Sequence, residues 1–199
     1  MSDALIGPIK KRRSIYTIGK RKVISEEKIE KIVSTLIQYV PSAYNSQSSR
    51  VVLLFGGESS KFWNITKETL RKIVPADSFE KTEKKLAGFD SGYGTILFFE
   101  DQKTVNDLMT NFPLFKDNFP LWSCQSVGML QFAVWTALEA EGLGASLQHY
   151  NPLVDDAVKK EWKLPEDWRL FAEMPFGSVE GPAGPKDFLP IETRFKVFR

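Results

Sequence analysis

The sequence predicts a mixed α and β fold in which a few central strands are covered by helices. Two short segments, residues 50–55 and 94–101, contain the apolar runs VVLLF and ILFF, which are typical of strands that are buried on both faces. Longer segments between such runs carry apolar residues at the three- and four-residue spacing of a helix. The 199 residues have 42% hydrophobic and 26% charged side chains, an ordinary globular composition, so we expect one domain over residues 1–199.

The first long helix is predicted over residues 25–40. Ser25 is a favourable N-cap, and Glu26 and Glu27 lie in the first turn, where the helix dipole favours acidic side chains. Pro41 ends the helix, because the residue before a proline is driven out of the helical conformation. The apolar face consists of Ile29, Ile32, Val33, Leu36, Ile37 and Val40.

The elements that follow are predicted from the same two patterns. The strand over 50–55 closes at Gly56 and Gly57, and Asp101, at the end of the strand over 94–101, is placed to cap a short helix. The remaining elements, in order, are a helix over 60–74, an irregular aromatic segment over 111–120, a long helix over 121–141, a strand or turn over 145–150, a helix over 152–162, a strand over 168–179 and an extended tail over 180–199.

The helix over 121–141 is apolar on more than one face, as Trp122, Met129 and Phe132 illustrate. A helix of this kind is usually buried on several sides. Two arrangements meet that need: the helix lies between the sheet and a partner subunit, or it is a central helix wrapped within one subunit. Cys124 falls inside this segment, and we expect it to be an unreactive core residue rather than the partner of His149 in catalysis.

Charge and cysteine content exclude several classes of function. Basic residues number 27 and acidic residues 25, so the net charge of +2 gives no broad electrostatic field for nucleic acid. A single cysteine excludes an intrachain disulfide, and a single histidine argues against a zinc centre. The opening residues contain no apolar run of signal-peptide length, and no later segment is long enough for a transmembrane helix, so we expect a cytoplasmic protein.

The common catalytic motifs are also missing from the sequence. It has no G-x-x-x-x-G-K-[ST] phosphate loop, no G-x-G-x-x-G after a strand and no G-x-S-x-G elbow. Three polar islands remain in a largely apolar chain. They are "RRSIY" at 12–16, "PSAYNSQSSR" at 41–50 and "LQHYN" at 147–151.

Each island has an ordinary structural explanation besides a functional one. The arginines and the serine of the first suit a phosphate, since guanidinium groups bind its oxygens in pairs, but a solvated basic arm has the same composition. The amide and hydroxyl groups of the second suit the polar edge of a heteroaromatic ring, but they also fit a polar loop with local turns. The third island either contacts a ligand or is the end of a strand, with a histidine whose hydrogen bonds are made within the protein.

Taken together, the islands resemble the FMN-dependent nitroreductase family. "RRS" near the N-terminus, "PSAYNSQ" after the first long helix, "GLGASLQHY" after the apolar helix and "GPKDFLP" near the C-terminus follow the family's order and approximate spacing across almost the whole chain. "RRSIY", "GYGTILFFED" and "SLQHYNP" look closest to the branch related to the fatty-acid-repression nitroreductase-like proteins of bacteria and yeast.

The resemblance implies an α+β, nitroreductase-like fold: a central, mostly antiparallel sheet flanked by helices, in an interlocked homodimer with an extended C-terminal tail. It also implies that FMN lies between the subunits, with its phosphate held by basic residues and its rings covered by residues 41–47 of the partner chain and by residues 147–150. The implied cofactor-binding residues are Arg12, Arg13, Ser14, Tyr16, Pro41, Ser42, Ala43, Asn45, Gln47, Leu147, Gln148, His149, Tyr150, Lys186 and Arg194.

Four positions depart from the family pattern. Tyr16 stands where the family has a second basic residue, so a neutral hydroxyl replaces a charge near the N1–C2=O edge of the flavin. Ser48 and Ser49 replace the usual Pro-Trp, and Phe188 takes the position of an arginine that accompanies Lys186. The phosphate charge is then expected to rest on Arg12, Arg13, Lys186 and Arg194.

The activity that the resemblance implies is that of an FMN-dependent NAD(P)H oxidoreductase without nucleic-acid or membrane partners. In its ping-pong cycle, NADH or NADPH reduces the flavin and leaves, and a nitroaromatic, a quinone or a similar small electrophile then takes the electrons. Because the cofactor carries the chemistry, no catalytic side chain and no metal are expected. Two alternatives stay open: a flavin-bound regulatory or stress-response protein with incidental turnover, and a basic-arm protein that binds nucleic acid or a membrane surface.

Overall fold

In the computed structural model, which describes residues 2–199, five strands form one sheet in which every strand pairing is antiparallel. Helices cover both faces of this sheet, which confirms the predicted fold class. The strands are β1 (Ile18–Gly19), β2 (Ser49–Phe55), β3 (Gly94–Asp101), β4 (Leu143–Ala145) and β5 (Trp168–Val179). The helices are α1 (Ser2–Lys11), α2 (Glu26–Tyr39), α3 (Gly56–Arg71), α4 (Phe79–Asp90), α5 (Gln102–Asn111), α6 (Phe119–Ala140) and α7 (Asp155–Trp162).

The centre of the sheet is β3, which pairs with β5 on one side and with β2 on the other. The last residues of β5 also pair with two short strands. Leu143 of β4 lies opposite Ser178, and Ile18 of β1 lies opposite Val179. The C-terminal end of β5 therefore brings the N-terminal part of the chain beside the residues that follow α6.

Alternate side chains of β3 point to opposite faces of the sheet, as the pleat requires. Ile96 and Phe98 pack into one core, Leu97 and Phe99 pack into the other, and all four are fully buried. This is why β3 reads as a continuous apolar run rather than as an alternating one. Side chains of α2 and α6 complete the first core, and side chains of α3, α4 and α7 complete the second.

The long helix α6 is only partly buried within the chain. Val127, Leu130 and Val134 lie in the first core, whereas Met129 and Phe132 on the opposite side are exposed. Cys124 is also exposed, so the prediction that it is a core residue was wrong. Its helical phase accounts for the error, because residue 124 lies three residues from both the exposed Leu121 and the buried Val127, at the border of the buried face.

Two of the predicted helix signals are confirmed at the level of hydrogen bonds. The Ser25 side chain accepts a bond from the N–H of Lys28 at 3.2 Å at the start of α2. Asp101 caps α5, since its Oδ1 accepts bonds from the N–H groups of Lys103 and Thr104 at 3.0 and 3.3 Å. The predicted strand over 168–179 coincides with β5, and the strand over 94–101 coincides with β3.

Other boundaries differ from those predicted, and two helices were missed. α3 begins directly at Gly56, because a left-handed φ of +51° at this glycine turns the chain from strand into helix. α1 and α4 were not predicted, and the 111–120 segment holds a short 3₁₀ turn over Pro113–Phe115 before α6 begins. Within residues 2–199, no helix combines the length and the apolar character that crossing a membrane requires.

Candidate functional site

Basic side chains from the two ends of the chain meet around one cavity of about 270 Å³, here called the basic cavity. Residues 12–16 form one wall, and the start of the C-terminal tail forms the other. Arg12, Arg13 and Lys186 therefore lie close enough together to bind the same ligand, as predicted. No pattern in the sequence between them indicated that they are close in space. The lining residues are Arg12, Arg13, Ser14, Tyr16, Gly184, Pro185 and Lys186.

Residues 12–16 reach this position by pairing with β4. Ser14 forms an isolated parallel bridge with Ala145, and the N–H of Ile15 donates to the carbonyl of Ala145 at 2.9 Å. The close approach depends on Gly144, because a Cβ at that residue would lie 2.8 Å from the Cγ2 of Ile15. The basic segment is thus docked on the body of the protein rather than extended as a free arm.

The two arginines of the basic cavity are held in different ways. The Arg12 guanidinium lies 4.3 Å from the ring centroid of Trp135, a cation–π contact on α6. The N–H of Arg13 donates to Glu139 Oε2 at 2.7 Å, and its guanidinium donates to the carbonyl of Gly184. Burial raises the pKa of Glu139, while the Arg13 N–H and the charges of both arginines lower it.

The donor set of the basic cavity fits a phosphate. The Nε of Arg12 is buried and has no hydrogen-bond partner among residues 2–199, so its N–H needs an acceptor that the described chain does not supply. Two guanidinium groups, the Ser14 hydroxyl and the Lys186 ammonium are all donors. A ligand that brings several anionic oxygens would satisfy them together, as the terminal phosphate of FMN does.

The second polar island, residues 41–47, folds into a tight turn at the other end of α6. The N–H of Gln47 donates to Ser42 Oγ at 2.9 Å, and the N–H of Ala43 donates to Ser126 Oγ at 3.4 Å. Tyr44, Asn45 and Gln47 all have a left-handed φ, of 56°, 50° and 48°. Such conformations cost free energy for residues with a side chain, and they recur at functional sites.

Aromatic rings surround Tyr44 in this turn. Its ring centroid lies 4.9 Å from that of Phe112 and 5.3 Å from that of Phe119, with Phe115 and Trp122 at 6.3 and 6.0 Å. The aromatic 111–120 segment therefore packs against residues 41–47. Two cavities of about 420 Å³ each flank Pro41 and Ser42, one towards Trp122 and Met129 and the other towards Arg50 and Trp168.

The third island continues from β4 as an edge segment beside β5. Gln148 exchanges two backbone hydrogen bonds with Glu173, at 2.7 and 3.0 Å. Because hydrogen bonds alternate along an antiparallel pair, the N–H groups of Leu147 and His149 point away from β5. Neither of these two N–H groups has a partner among residues 2–199.

The side chains of this segment point in different directions. Gln148 is buried, and its Nε2 donates to Ser146 Oγ at 3.1 Å. Tyr150 packs against Trp63 and Phe89, and burial together with the charge of Glu173 raises the pKa of its hydroxyl to about 12. His149 is exposed. The segment can therefore offer a ligand two backbone N–H groups and the His149 ring.

The two ends of the predicted site are too far apart in one chain to enclose a ring system from both sides. Ser126, which holds residues 41–47, and Glu139, which holds Arg13, are both on α6 and lie about 20 Å apart along its axis at 1.5 Å per residue. The exposed side chains of Met129 and Phe132 lie between them.

Three residues that support the candidate site lie outside the polar islands and were not predicted from them. Trp135, Glu139 and Glu173 hold the island residues from α6 and β5. Only Glu173 could have been noticed in the sequence, because it is the single charged residue in the apolar stretch "LFAEMPFG". Arg194 lies in the exposed tail outside the lining of the basic cavity, so its assignment stays a prediction.

Comparison with known sequences places this geometry in a protein family. A model of the Nitroreductase family matches residues 9–178. The putative nitroreductase HBN1 of Saccharomyces cerevisiae is 33% identical over 180 residues, which span 89% of this chain and 89% of HBN1.

Two solved structures share the fold. Nitroreductase CinD of Lactococcus lactis, in complex with chloramphenicol, superposes with a TM-score of 0.90 at 44% identity, over 98% of this chain and 100% of CinD. A nitroreductase with bound FMN from Desulfitobacterium hafniense DCB-2 superposes with a TM-score of 0.72 over 100% of both chains, and at 17% identity this likeness concerns the fold alone. These relatives come from a yeast and from bacteria, in agreement with the predicted branch. The chain belongs to the nitroreductase family.

Proposed function

We propose that this chain is an FMN-dependent NAD(P)H oxidoreductase that reduces nitroaromatics, quinones or similar small electrophiles in a ping-pong cycle. The observation that carries the proposal is the basic cavity, where the N-terminal arginines and Lys186 converge around donors that need an anionic partner. Membership of the family and the FMN-bound relative of the same fold support flavin as that partner. The absence of a conventional catalytic motif agrees with chemistry that resides on a cofactor.

The phosphate of FMN would be held in the basic cavity by four side chains. Arg12, fixed in orientation by Trp135, would donate its Nε–H and an Nη–H to phosphate oxygens. Arg13 is already engaged with Gly184, so it would contribute mainly charge and the closure of the cavity by the tail. Ser14 and Lys186 complete the donor set.

The ring system of the cofactor would extend from the basic cavity towards the edge segment. The outward N–H groups of Leu147 and His149 are available as donors to a ring nitrogen, because the alternate N–H groups are used by β5 and Glu173. Tyr16, exposed at the mouth of the cavity, would offer a neutral hydroxyl. When bound, FMN supplies the chemistry, accepting a hydride equivalent from NADH or NADPH and passing two electrons to the acceptor.

The substrate would bind against the aromatic rings around Tyr44. Flat, electron-poor rings stack favourably on aromatic side chains, and the cavity between Tyr44, Trp122 and Met129 has a volume of about 420 Å³. This aromatic surface is at the far end of α6 from the basic cavity of the same chain. It would therefore act on the flavin held by a second copy.

A homodimer follows from that separation. Residues 41–47, including Asn45 and Gln47, would cover the flavin of the partner across the exposed side of α6, where Leu121, Met129 and Phe132 would be buried. An interface that completes two cofactor sites should be large and apolar, at least ~2,000 Å² in total. We propose one domain per chain and a cytoplasmic location, the latter because a single cysteine suits a reducing compartment.

The decisive experiment is an absorbance spectrum of the purified protein, followed by anaerobic titration with NADH and with NADPH. We expect a flavin spectrum that is bleached by at least one of the two donors and restored by chloramphenicol or a quinone. Protein that is colourless and does not bind FMN on reconstitution would refute the proposal. Bound flavin without acceptor-dependent turnover would instead favour the flavin-bound regulatory protein. Light scattering that finds a flavin-loaded monomer would refute the homodimer.

A further inference from the structure

One acidic side chain stands within the apolar strand β5 and faces the edge segment. Glu173 is fully buried, and its Oε2 accepts a hydrogen bond from the N–H of Tyr150 at 2.9 Å. Its backbone exchanges the two hydrogen bonds with Gln148. Glu173 therefore holds the edge segment through both its main chain and its side chain.

Three buried side-chain oxygens, one on Glu173 and one on each of two residues that influence its pKa, have no hydrogen-bond partner among residues 2–199. They are Oε1 of Glu173, Oδ1 of Asp155 and Oδ1 of Asn151. Buried polar atoms in native proteins are nearly always paired, and acceptors cannot pair with one another. A proton on Glu173 would turn Oε1 into the donor that this group of acceptors lacks.

Electrostatics lead to the same protonation state. Burial, together with the charge of Asp155, raises the pKa of Glu173 to about 8, even though the N–H groups of Tyr150 and Asn151 lower it. Burial also raises the pKa of Asp155, the first residue of α7. Ionising the buried Glu173 near the charge of the half-buried Asp155 is costly, which favours the protonated form of Glu173.

The other charged groups near Glu173 do not change this conclusion about its protonation state. Lys159 and Asp156 of α7 and Arg169 of β5 act on Asp155 rather than on Glu173 itself. His149 is exposed in the same edge segment. On this side of the sheet β3, α3 and α4 contribute the uncharged Leu97, Trp63 and Phe89, and the ammonium of Lys85 in α4 lies 5.7 Å from the Phe89 ring centroid.

We infer that Glu173 is a positioning residue for the flavin. As a neutral acid it donates its Oε1–H to a neighbouring oxygen and accepts the Tyr150 N–H on Oε2. These two hydrogen bonds fix the outward N–H groups of Leu147 and His149. This inference rests on the proposed function, because those two N–H groups are the ones assigned to the flavin ring. Ionisation leaves a buried charge without a donor for Oε1, and the edge segment opens to let water reach it.

The first test needs no cofactor. Infrared difference spectra of the full-length apoprotein between pH 6 and 9.5 should contain the carbonyl band of a protonated carboxylic acid that disappears above about pH 8. The band should be missing in E173Q and present in H149Q. A carboxylate spectrum for Glu173 at pH 6, as water donors at Oε1 would produce, would overturn the inference.

The second test asks whether the proton positions the edge segment. Amide exchange of Gln148 and Tyr150, expressed as protection relative to the intrinsic rate at each pH, should fall in the wild type above about pH 8 and stay constant in E173Q. E173Q is the suitable variant, because glutamine keeps the acceptor and supplies N–H donors in place of the carboxyl O–H. Protection that is unaffected by pH in the wild type, or equally lost in E173Q, would contradict a positioning role.

The third test links the proton to the cofactor. The Kd of the wild type for FMN should be constant up to about pH 8 and then rise, approaching tenfold per pH unit, whereas E173Q should bind with the wild-type low-pH affinity throughout. E30Q, which changes an exposed glutamate of α2, should keep the alkaline rise. A rise that E173Q retains would refute the inference. Wild-type protein that fails to bind FMN at pH 6 would refute the proposed function instead, and the infrared and exchange results would still decide the state of Glu173.

Discussion

The two ends of α6 present opposite kinds of chemistry. At its C-terminal end, the basic cavity and the edge segment offer hydrogen-bond donors on a backbone held by β4 and β5. At its N-terminal end, the turn at 41–47 offers aromatic rings on a backbone with three left-handed residues. Under the proposed function this difference corresponds to a division of work: donors and charge would hold the cofactor, and aromatic shape would select the molecule that approaches it. If this is correct, changes at the first end should alter FMN binding and changes at the second should alter substrate use.

The largest expected effect concerns Glu173 and the pH dependence of stability. Its pKa is about 8 in the folded protein against an ordinary value of 4.5, so between these pH values the native state binds one proton that the unfolded chain has lost. The free energy of unfolding should therefore fall as pH rises, by up to ~1.4 kcal/mol per pH unit, and should level off above pH 8. E173Q should remove this slope, as measured by urea unfolding at one fixed protein concentration.

An exposed glutamate provides the control for that measurement. Glu30 lies on the solvent side of α2, and Glu30→Gln should leave the slope of the wild type unchanged. Stability that increases between pH 5 and pH 8 in the wild type, or a slope that survives in E173Q, would contradict a protonated Glu173.

A substitution at Arg12 tests whether the basic cavity at the C-terminal end of α6 binds the phosphate of FMN. Arg12→Ala removes a charge-assisted contact to phosphate together with the cation–π contact to Trp135. Losing a charged hydrogen bond costs about 1.5–3 kcal/mol, so the Kd for FMN should rise about 10- to 100-fold in a fluorescence titration. Lys11→Ala changes the neighbouring exposed basic residue and should shift the Kd less than about threefold. Equal losses in both variants would mean that general positive charge, and not a shaped cavity, attracts the cofactor.

Gly144 tests the docking of the basic segment without touching a charge. In Gly144→Ala the new Cβ would lie 2.8 Å from Ile15 Cγ2, so residues 12–16 must shift. Overpacking of this size costs about 1–3 kcal/mol, and we expect lower thermal stability together with weaker FMN binding. Gly88→Ala in α4 is the matched variant, because its Cβ meets nothing within 4 Å. Wild-type FMN affinity in Gly144→Ala would show that the segment does not need β4 to bind phosphate.

The smallest effect is expected at the aromatic end. Tyr44→Gly relieves a left-handed φ of 56° but removes the ring that contacts Phe112 and Phe119, so its stability should stay within about 1 kcal/mol of the wild type. The KM for a nitroaromatic should rise about 2- to 10-fold, with the Kd for FMN little changed. Lys163→Gly relieves a similar φ of 51° after α7 and should stabilise the protein by about 0.5–1 kcal/mol without altering KM. A larger change in the Kd for FMN than in KM would break the proposed division between the two ends.

The sequence predicted the sheet better than it predicted the helices. β3 and β5 are buried on both faces, so their residues form continuous apolar runs with sharp ends. α4, by contrast, buries only Phe79, Leu86 and Phe89 among many lysines and glutamates, which leaves too weak a helical pattern to recognise.

The motifs of the candidate site could be recognised in the sequence, while the residues that support those motifs could not. Arg12 and Ser14 lie in a recognisable segment, but Trp135 and Glu139 reach them from a helix more than a hundred residues further along the chain. Contacts of that sequence separation leave no local pattern. Glu173 was visible as a charge in an apolar strand, yet its role depends on the neighbouring Asp155 and on the backbone of Tyr150, which only the folded chain brings together.

The contact between Arg13 and the carbonyl of Gly184 has a consequence for biosynthesis. It joins residues 171 positions apart, and Ser14 lies beside Ala145, so the two walls of the basic cavity meet only after residue 184 has been synthesised. Domains tend to fold as units while or after they leave the ribosome. Residues 12–16 must therefore wait for residues 184–186, and a nascent chain lacks the complete basic cavity before that point of synthesis.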